Sequence, residues 1–357
     1  MGSLAALAVA LGLVAGQAAD TPRPTFSEWL AELRAEALTR GIREEIVDAA
    51  LADVSEPQPI ILERDRAQAE TVFSLEKYLS RRLTTKLMSG GRQAYAEHRA
   101  LLDQVAERYG VPSPIVVAIW GVESNYGRFS GVRPSVPALA TLAWDPRRAT
   151  FFRGELFNAL EILNRGDIDL PRLRGSWAGA MGQVQFMPSS YLRFAEDFDG
   201  DGRRDIWDTP ADVFASIANY LHGHGWTGDE SWGREVKLTA EVQRRIAKDV
   251  APRNGRCQAT RNMTVALPLT RWRELGVRPA GGGALPKHEI DASLVAGSTR
   301  HFLVSSNYDA LLEYNCAHSY AVMVGLLGDA IASDAPLKAT NTKKSVKPKP
   351  GSAPRRP

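Results

Sequence analysis

The 357 residues predict a mainly α fold, α+β overall, with one small sheet-bearing segment inserted among helices. Three observations carry this. Apolar residues recur at spacings of three and four through FSEWLAELRAEALTRG (26–41) and RQAYAEHRALLDQVAERYG (92–110), the period of a helix with one buried face. Ser113-Pro114 and Thr209-Pro210 place a capping residue before a proline, which marks a helix start. After about residue 234 the texture changes: TVALPLTRW, a GGG run and RHFLVSSN read as short strands and turns.

Taken in order, MGSLAALAVALGLVAGQAAD comes first. Its apolar run has the length of a secretory core and is too short for a membrane span. Gly16-Gln17-Ala18 offers small residues for cleavage, so 1–19 is expected to be a signal peptide and the mature protein periplasmic. No Lys or Arg precedes the run, and a buried first helix is the competing reading. No cysteine follows it to carry a lipid, and no later stretch spans a bilayer. Helices are expected through 20–110, from Ser113 onward, over 149–164 and over 211–224. Residues 234–304 form the expected β segment, and 305–334 return to helix. Lys, Pro and Ser dominate 335–357, which reads as a disordered basic tail.

The formal charge of +3 hides an asymmetry. Seven Lys/Arg and no acid lie in 336–357; without them the body holds 37 basic against 41 acidic residues. A mildly acidic body argues against a nucleic-acid-binding domain, which usually carries a basic face. Cys257 and Cys316 are the only cysteines. Export permits a disulfide between them, and two unrelated thiols fit equally well.

Two constellations carry chemistry. The first is GVESNYG (121–127), which follows the apolar run SPIVVAIW. On a helix, Val116, Ile119 and Trp120 stack beneath Glu123. Desolvation disfavours its charged form, and a carboxylic acid kept protonated near neutral pH can serve as a general acid. Gly121 and Gly127 are expected to keep space for a close-approaching ligand. A solvated glutamate at a helix end is the alternative.

The second is DFDGDGRRDIWD (197–208). Asp197, Asp199 and Asp201 occupy positions 1, 3 and 5 of an EF-hand-like loop, Gly202 position 6, and Arg203 offers a carbonyl at position 7. Asp208 stands where glutamate usually closes the loop; Asp212 is the other candidate. Structural Ca2+ is the expected ion, with an acidic turn lacking metal as the alternative. No organic cofactor is expected. Between the two constellations, GSWAGAMGQVQFMPSSY (175–191) supplies small residues, with Ser176 and Gln185 for hydrogen bonds and Met181 for apolar contact.

Read together in order, VxxIWGVESNYG, ALATLA, AGAMGQVQFMPSS, DFDGDGRRDIWD and SIANYLHGHGW resemble the lytic murein transglycosylases of the membrane-bound B type, here without a lipid anchor. The resemblance runs from about 26 to 330. It implies a lysozyme-like core over 111–233, a preceding helical domain and a small β domain. It also implies cleavage of the β-1,4 bond between N-acetylmuramic acid and N-acetylglucosamine, leaving a 1,6-anhydro end, with Glu123 as the one catalytic residue; the sequence leaves open whether Asp145 or Glu155 also enters the cleft. It carries substrate contacts onto Ser176, Gln185, Tyr220, Tyr314, Asn315 and Tyr320, and more weakly onto Tyr78, beside the apolar contact read at Met181. Peptidoglycan strands and other cell-wall enzymes are the implied partners of a monomer. A hydrolysing muramidase and a non-catalytic wall-binding protein remain the alternatives.

Overall fold

The computed structural model describes residues 24–67, 73–228, 230–287 and 290–333; the expected signal peptide and basic tail lie outside them. Thr25 opens α1 (Phe26–Thr39) with a capping box: its hydroxyl accepts from the Glu28 N–H while the Glu28 carboxylate accepts from the Thr25 N–H. Five more helices follow: α2 (Glu44–Leu51), α3 (Pro59–Ala67), α4 (Leu75–Arg82), α5 (Thr85–Glu97) and α6 (Arg99–Tyr109). The periodic stretch 92–110 is divided at His98, which closes α5 and opens α6.

The next helix, α7 (Ser113–Ser124), forms the centre. Val116, Val117, Ala118 and Ile119 are all fully buried, so the helix is apolar all round and can only exist inside a core. Val116, Val117 and Ile119 each contribute about 1.5–3 kcal/mol by leaving water. The expected cap at Ser113 is corrected. Ser113 lies within the helix and its hydroxyl donates to the Leu102 carbonyl of α6, 3.0 Å away, fixing the angle between the two helices.

Beyond α7 come β1 (Arg133–Pro134), α8 (Ser135–Trp144), α9 (Ala149–Arg165), β2 (Arg174–Gly175), α10 (Pro188–Phe194) and α11 (Pro210–Gly223). β1 and β2 pair antiparallel. The following segment holds β3 (Gly233–Lys237), α12 (Ala240–Asp249), α13 (Gln258–Arg261), β4 (Leu267–Pro268), α14 (Leu269–Leu275), β5 (Arg278–Pro279), β6 (Asp291–Ala296) and β7 (His301–Val304). The last five strands form one antiparallel sheet in the order β4-β6-β7-β3-β5. Alternation along the strands gives it two faces. Leu294 and Leu303 join a separate cluster around Trp272, whereas Val295, Phe302 and Val304 face the main core.

The expected helix over 308–330 is two helices, α15 (Asn307–Tyr314) and α16 (His318–Ala332). They break at 315–317, where Cys316 is bonded to Cys257 ahead of α13. Helix α16 packs on α4, α5, α7 and α15, and α7 also meets α5, α6 and α11. A second tie joins the sheet to the helices. The Glu76 carboxylate of α4 accepts from the Ser298 hydroxyl and from the Thr299 and Arg300 N–H groups in the β6–β7 turn. Burial pushes its pKa up, but these donors win and hold it near about 2.

Candidate active site

Glu123 sits in the last turn of α7, which ends abruptly. Asn125 and Tyr126 both take left-handed φ values, 53° and 59°, while their N–H groups return to Gly121 and Trp120 carbonyls. Such a conformation is unusual for residues other than glycine. It is held by Tyr126, whose hydroxyl donates to the Leu87 carbonyl of α5 at 2.6 Å. The glycines serve this packing. A Cβ on Gly121 would meet the Tyr126 ring at 2.4 Å, and one on Gly127 would meet Gln183 Oε1 at 2.7 Å. The glycines make room for packed side chains, and Gly121 also lines the cavity that Glu123 lines.

The Glu123 carboxyl is hemmed in by protein although part of the residue still opens to solvent. Burial pushes its pKa up, the Tyr320 hydroxyl and the Arg82 charge oppose this, and the outcome is about 7. Tyr320 is only 4% exposed, and its hydroxyl makes no hydrogen bond of regular geometry with any described group. It is nevertheless close enough to act on the Glu123 carboxyl.

Tyr314 stacks on Tyr320 with ring centroids 6.2 Å apart and planes 17° from parallel. Its hydroxyl donates to the Val184 carbonyl at 2.7 Å, which ties α15 to the 175–191 loop. Tyr220 and Phe186 pack behind it, at 4.7 and 5.8 Å. Tyr78, on α4, lies near Tyr320 and so belongs to the same group. Glu123, Tyr78, Tyr314 and Tyr320 are therefore brought together from α7, α4, α15 and α16.

The other expected contacts are placed differently. Tyr220 is 8% exposed and its hydroxyl donates to the Glu313 carbonyl, so it buttresses Tyr314. Met181 is fully buried, and its backbone pairs with Phe186 across a tight loop, so its side chain fills the core. The Ser176 hydroxyl accepts from the Ala178 and Ala180 N–H groups, shaping its own loop. Gln185 has a φ of 51° and its amide donates to the Gly182 carbonyl. Asn315 is exposed at the break between α15 and α16.

Glu123 lines a cavity of about 440 Å³ together with Arg81, Arg82, Thr84, Lys86 and Phe129. None of these neighbours stands out in the sequence. The available signal is spacing: Arg82 lies four residues after Tyr78 and so shares its helix face. Gln183 is also silent in the sequence. Its carbonyl oxygen accepts from the Trp120 indole at 2.7 Å and its amide donates to the Trp207 carbonyl at 2.6 Å, fastening α7 to the acidic loop. Two further carboxylates of the core are engaged internally. Glu155 accepts from the Ser189 N–H and hydroxyl, and Asp145 from the Arg147 N–H and guanidinium.

Residues 25–329 match the Transglycosylase SLT domain. The chain belongs to this family. Membrane-bound lytic murein transglycosylase B of Escherichia coli (strain K12) is 35% identical over 261 residues, 72% of this chain and 67% of that protein. SltB3 of Pseudomonas aeruginosa, solved in complex with NAG-anhNAM-pentapeptide, superposes with a TM-score of 0.77 at 40% identity, covering 86% of this chain and 79% of that one. The Escherichia coli lytic transglycosylase Slt35, solved in complex with calcium, gives 0.69 at 28% identity, covering 85% and 92%. The fold is accordingly that of the SLT transglycosylases, mostly helical with a small curled sheet around a lysozyme-like core.

In this SLT domain the acidic loop joins α10 to α11. Asp197, Asp199 and Asp212 bring carboxylate oxygens within 4.8 Å of one another. Asp212 is fully buried and accepts from the Phe198 and Asp205 N–H groups. Burial raises its pKa, those donors lower it, and the neighbouring Asp199 and Asp197 charges raise it again, to about 6. Three crowded carboxylates fit a divalent cation bound through oxygen. Asp201 and Asp208 are not among these three mutually close carboxylates. Of the two candidates for the closing position, Asp208 is exposed and pairs with Arg172, whereas Asp212 lies beside Asp197 and Asp199. Asp201 accepts from the Arg203 N–H at 2.8 Å, the two shaping the turn between them.

Proposed function

We propose that the chain is a lytic transglycosylase that cuts the β-1,4 bond between N-acetylmuramic acid and N-acetylglucosamine in peptidoglycan and leaves a 1,6-anhydro end. The observation that carries this reading is Glu123: a carboxyl with a pKa near about 7, partly open to a cavity and backed by buried tyrosines. At neutral pH a large fraction is protonated. The acid gives its proton to the glycosidic oxygen as the bond to the anomeric carbon breaks. The resulting carboxylate takes the proton of the muramoyl C6 hydroxyl, whose oxygen closes on the anomeric carbon. One carboxyl group thus acts as acid and then base. The nucleophile belongs to the sugar, so the second carboxylate of ordinary glycosidases is not required. The internal engagement of Glu155 and Asp145 supports this reading.

Tyr320 and Arg82 would stabilise the carboxylate after proton transfer, since both favour the charged form. Tyr78 and the exposed Asn315 remain proposed glycan contacts, with Ser176 and Gln185 shaping the loop on the far side of Tyr314. The acidic loop would hold Ca2+ through Asp197, Asp199 and Asp212, stabilising the α10–α11 connection. The proposed setting is the periplasm. Mass spectrometry of purified sacculi digested with the protein tests the reaction: anhydro ends, one water lighter than reducing ends, are expected. Reducing ends alone would make the enzyme a hydrolysing muramidase.

A further inference from the structure

Gln183 is a buried carboxamide, 8% exposed, that takes no part in the proton transfers proposed for Glu123. Its two ends are engaged in a way that only one orientation allows. The Trp120 indole can only donate, and it gives its N–H to Oε1; the Trp207 carbonyl can only accept, and Nε2 donates to it. Turning the amide round would set donor against donor and acceptor against acceptor. The Gln183 backbone N–H also donates to the Ile206 carbonyl, at 2.9 Å. Gln183 is therefore fixed to the acidic loop at two points and reaches from there to α7.

On α7 it meets the turn that carries Glu123. Trp120 lies three residues before Glu123, one turn back on the same side of the helix. The Trp120 carbonyl accepts from the Ser124 hydroxyl at 2.8 Å, and that hydroxyl accepts from the Gly127 N–H at 3.0 Å. A Cβ on Gly127 would come within 3.1 Å of the Trp120 ring as well as meeting Gln183. The Trp120 ring stands edge-on to Tyr126 at 5.8 Å and to Phe214 of α11 at 4.9 Å. One carboxamide thus bears on the helix both before and after Glu123.

We infer that Gln183 is a positioning residue for the reaction, its carboxamide setting where the last turn of α7 holds Glu123. The inference rests on the proposed function. The groups around that turn come from several elements. Arg82 of α4, Tyr314 of α15 and Tyr320 of α16 act on or respond to the Glu123 carboxyl, and Arg81 and Lys86 line its cavity. Tyr78 lies near Tyr320, and His98, between α5 and α6, is edge-on to Trp120. The Tyr320 hydroxyl forms no regular hydrogen bond with a described group, so its approach to Glu123 depends on how firmly α7 is held. Burial is the chief cause of the raised Glu123 pKa, and a loosened turn would admit water and lower it. It would also move the acid away from the glycosidic oxygen.

Gln183→Met keeps the length of the side chain and removes both amide groups. On soluble peptidoglycan strands its kcat should fall about tenfold while KM changes less than about twofold, the mark of a misplaced reacting group. The alkaline limb of kcat/KM should move down from about 7 by about one pH unit. Trp120→Phe removes the donor alone. Trp120→Phe/Gln183→Met should lose about as much kcat as the worse single variant, because both act through one contact. Carbon-13 NMR of the glutamate carboxyls, assigned against Glu123→Gln, follows the same titration without turnover. Melting curves check folding; should Gln183→Met fail to fold, Trp120→Phe decides by the same kcat and pH criteria. A lower melting temperature with the parent's kcat and the parent's titration overturns the inference and leaves Gln183 a packing residue. Losses that multiply in the double variant overturn it too. A parent Glu123 that titrates near the ordinary 4.5, or full turnover by Glu123→Gln, defeats the acid reading itself, and the positioning role falls with it.

Discussion

Glu123 is the residue whose chemistry can be followed most directly in solution. In the proposed mechanism Glu123 is the general acid and must be protonated in the free enzyme, so kcat/KM should fall as pH rises through about 7. A profile flat between pH 6 and 9 would contradict this. The same shift has a stability consequence of opposite use. The folded pKa lies above the ordinary 4.5, so the folded state binds the proton more tightly than the unfolded one. The native state is favoured below 4.5, and that contribution is lost as pH climbs from 4.5 through about 7. Glu123→Gln removes the loss. The variant should therefore be more stable than the parent at pH 8, by on the order of 1 kcal/mol, and about equal at pH 4; denaturant melts at the two pH values decide it. The carboxylate could be picked out of the sequence because a polar residue after SPIVVAIW breaks a local pattern. Its partners could not, because Tyr320 and Arg82 are defined by distance in space and lie on helices far away in the chain.

Among the elements, the acidic loop was legible and its closing residue was not. The alternation of Asp and Gly over 197–202 announces a turn with oxygen ligands whatever the fold. Whether Asp208 or Asp212 completes it depends on Arg172, which draws Asp208 away, and on the start of α11, which buries Asp212. The α15–α16 break was hidden for a related reason: EYNCAHSYA contains no proline or glycine, and the interruption falls at the bond to Cys257, a partner far away in the chain. The loop makes a measurable prediction. Crowded carboxylates repel, so a cation that binds only the folded state should raise the melting temperature with calcium concentration. Without calcium, the raised pKa of Asp212 makes stability fall as pH rises from 3.8 through about 6. Asp199→Ala should abolish the calcium response. Identical melting curves in calcium and in chelator would refute the assignment.

Across the whole molecule, the Cys257–Cys316 bond spans 59 residues of sequence and joins the sheet segment to the hinge between α15 and α16. Closing a loop of that size restricts the unfolded chain, so Cys257→Ser/Cys316→Ser should cost about 2–4 kcal/mol. Tyr314 and Asn315 immediately precede Cys316, so the same variant should lose activity beyond what its stability loss explains. Retained melting temperature and retained kcat would show the bond to be idle. The exposed turn Gly281-Gly282-Gly283 lies between the two cysteines in sequence. A protease that cuts there severs the backbone without parting the molecule. The N-terminal piece keeps β3, β5 and Cys257, the C-terminal piece keeps β6, β7 and Cys316, and the β3–β7 pairing crosses the cut. A nicked sample should run as one species on a denaturing gel and as two fragments once a reductant is added.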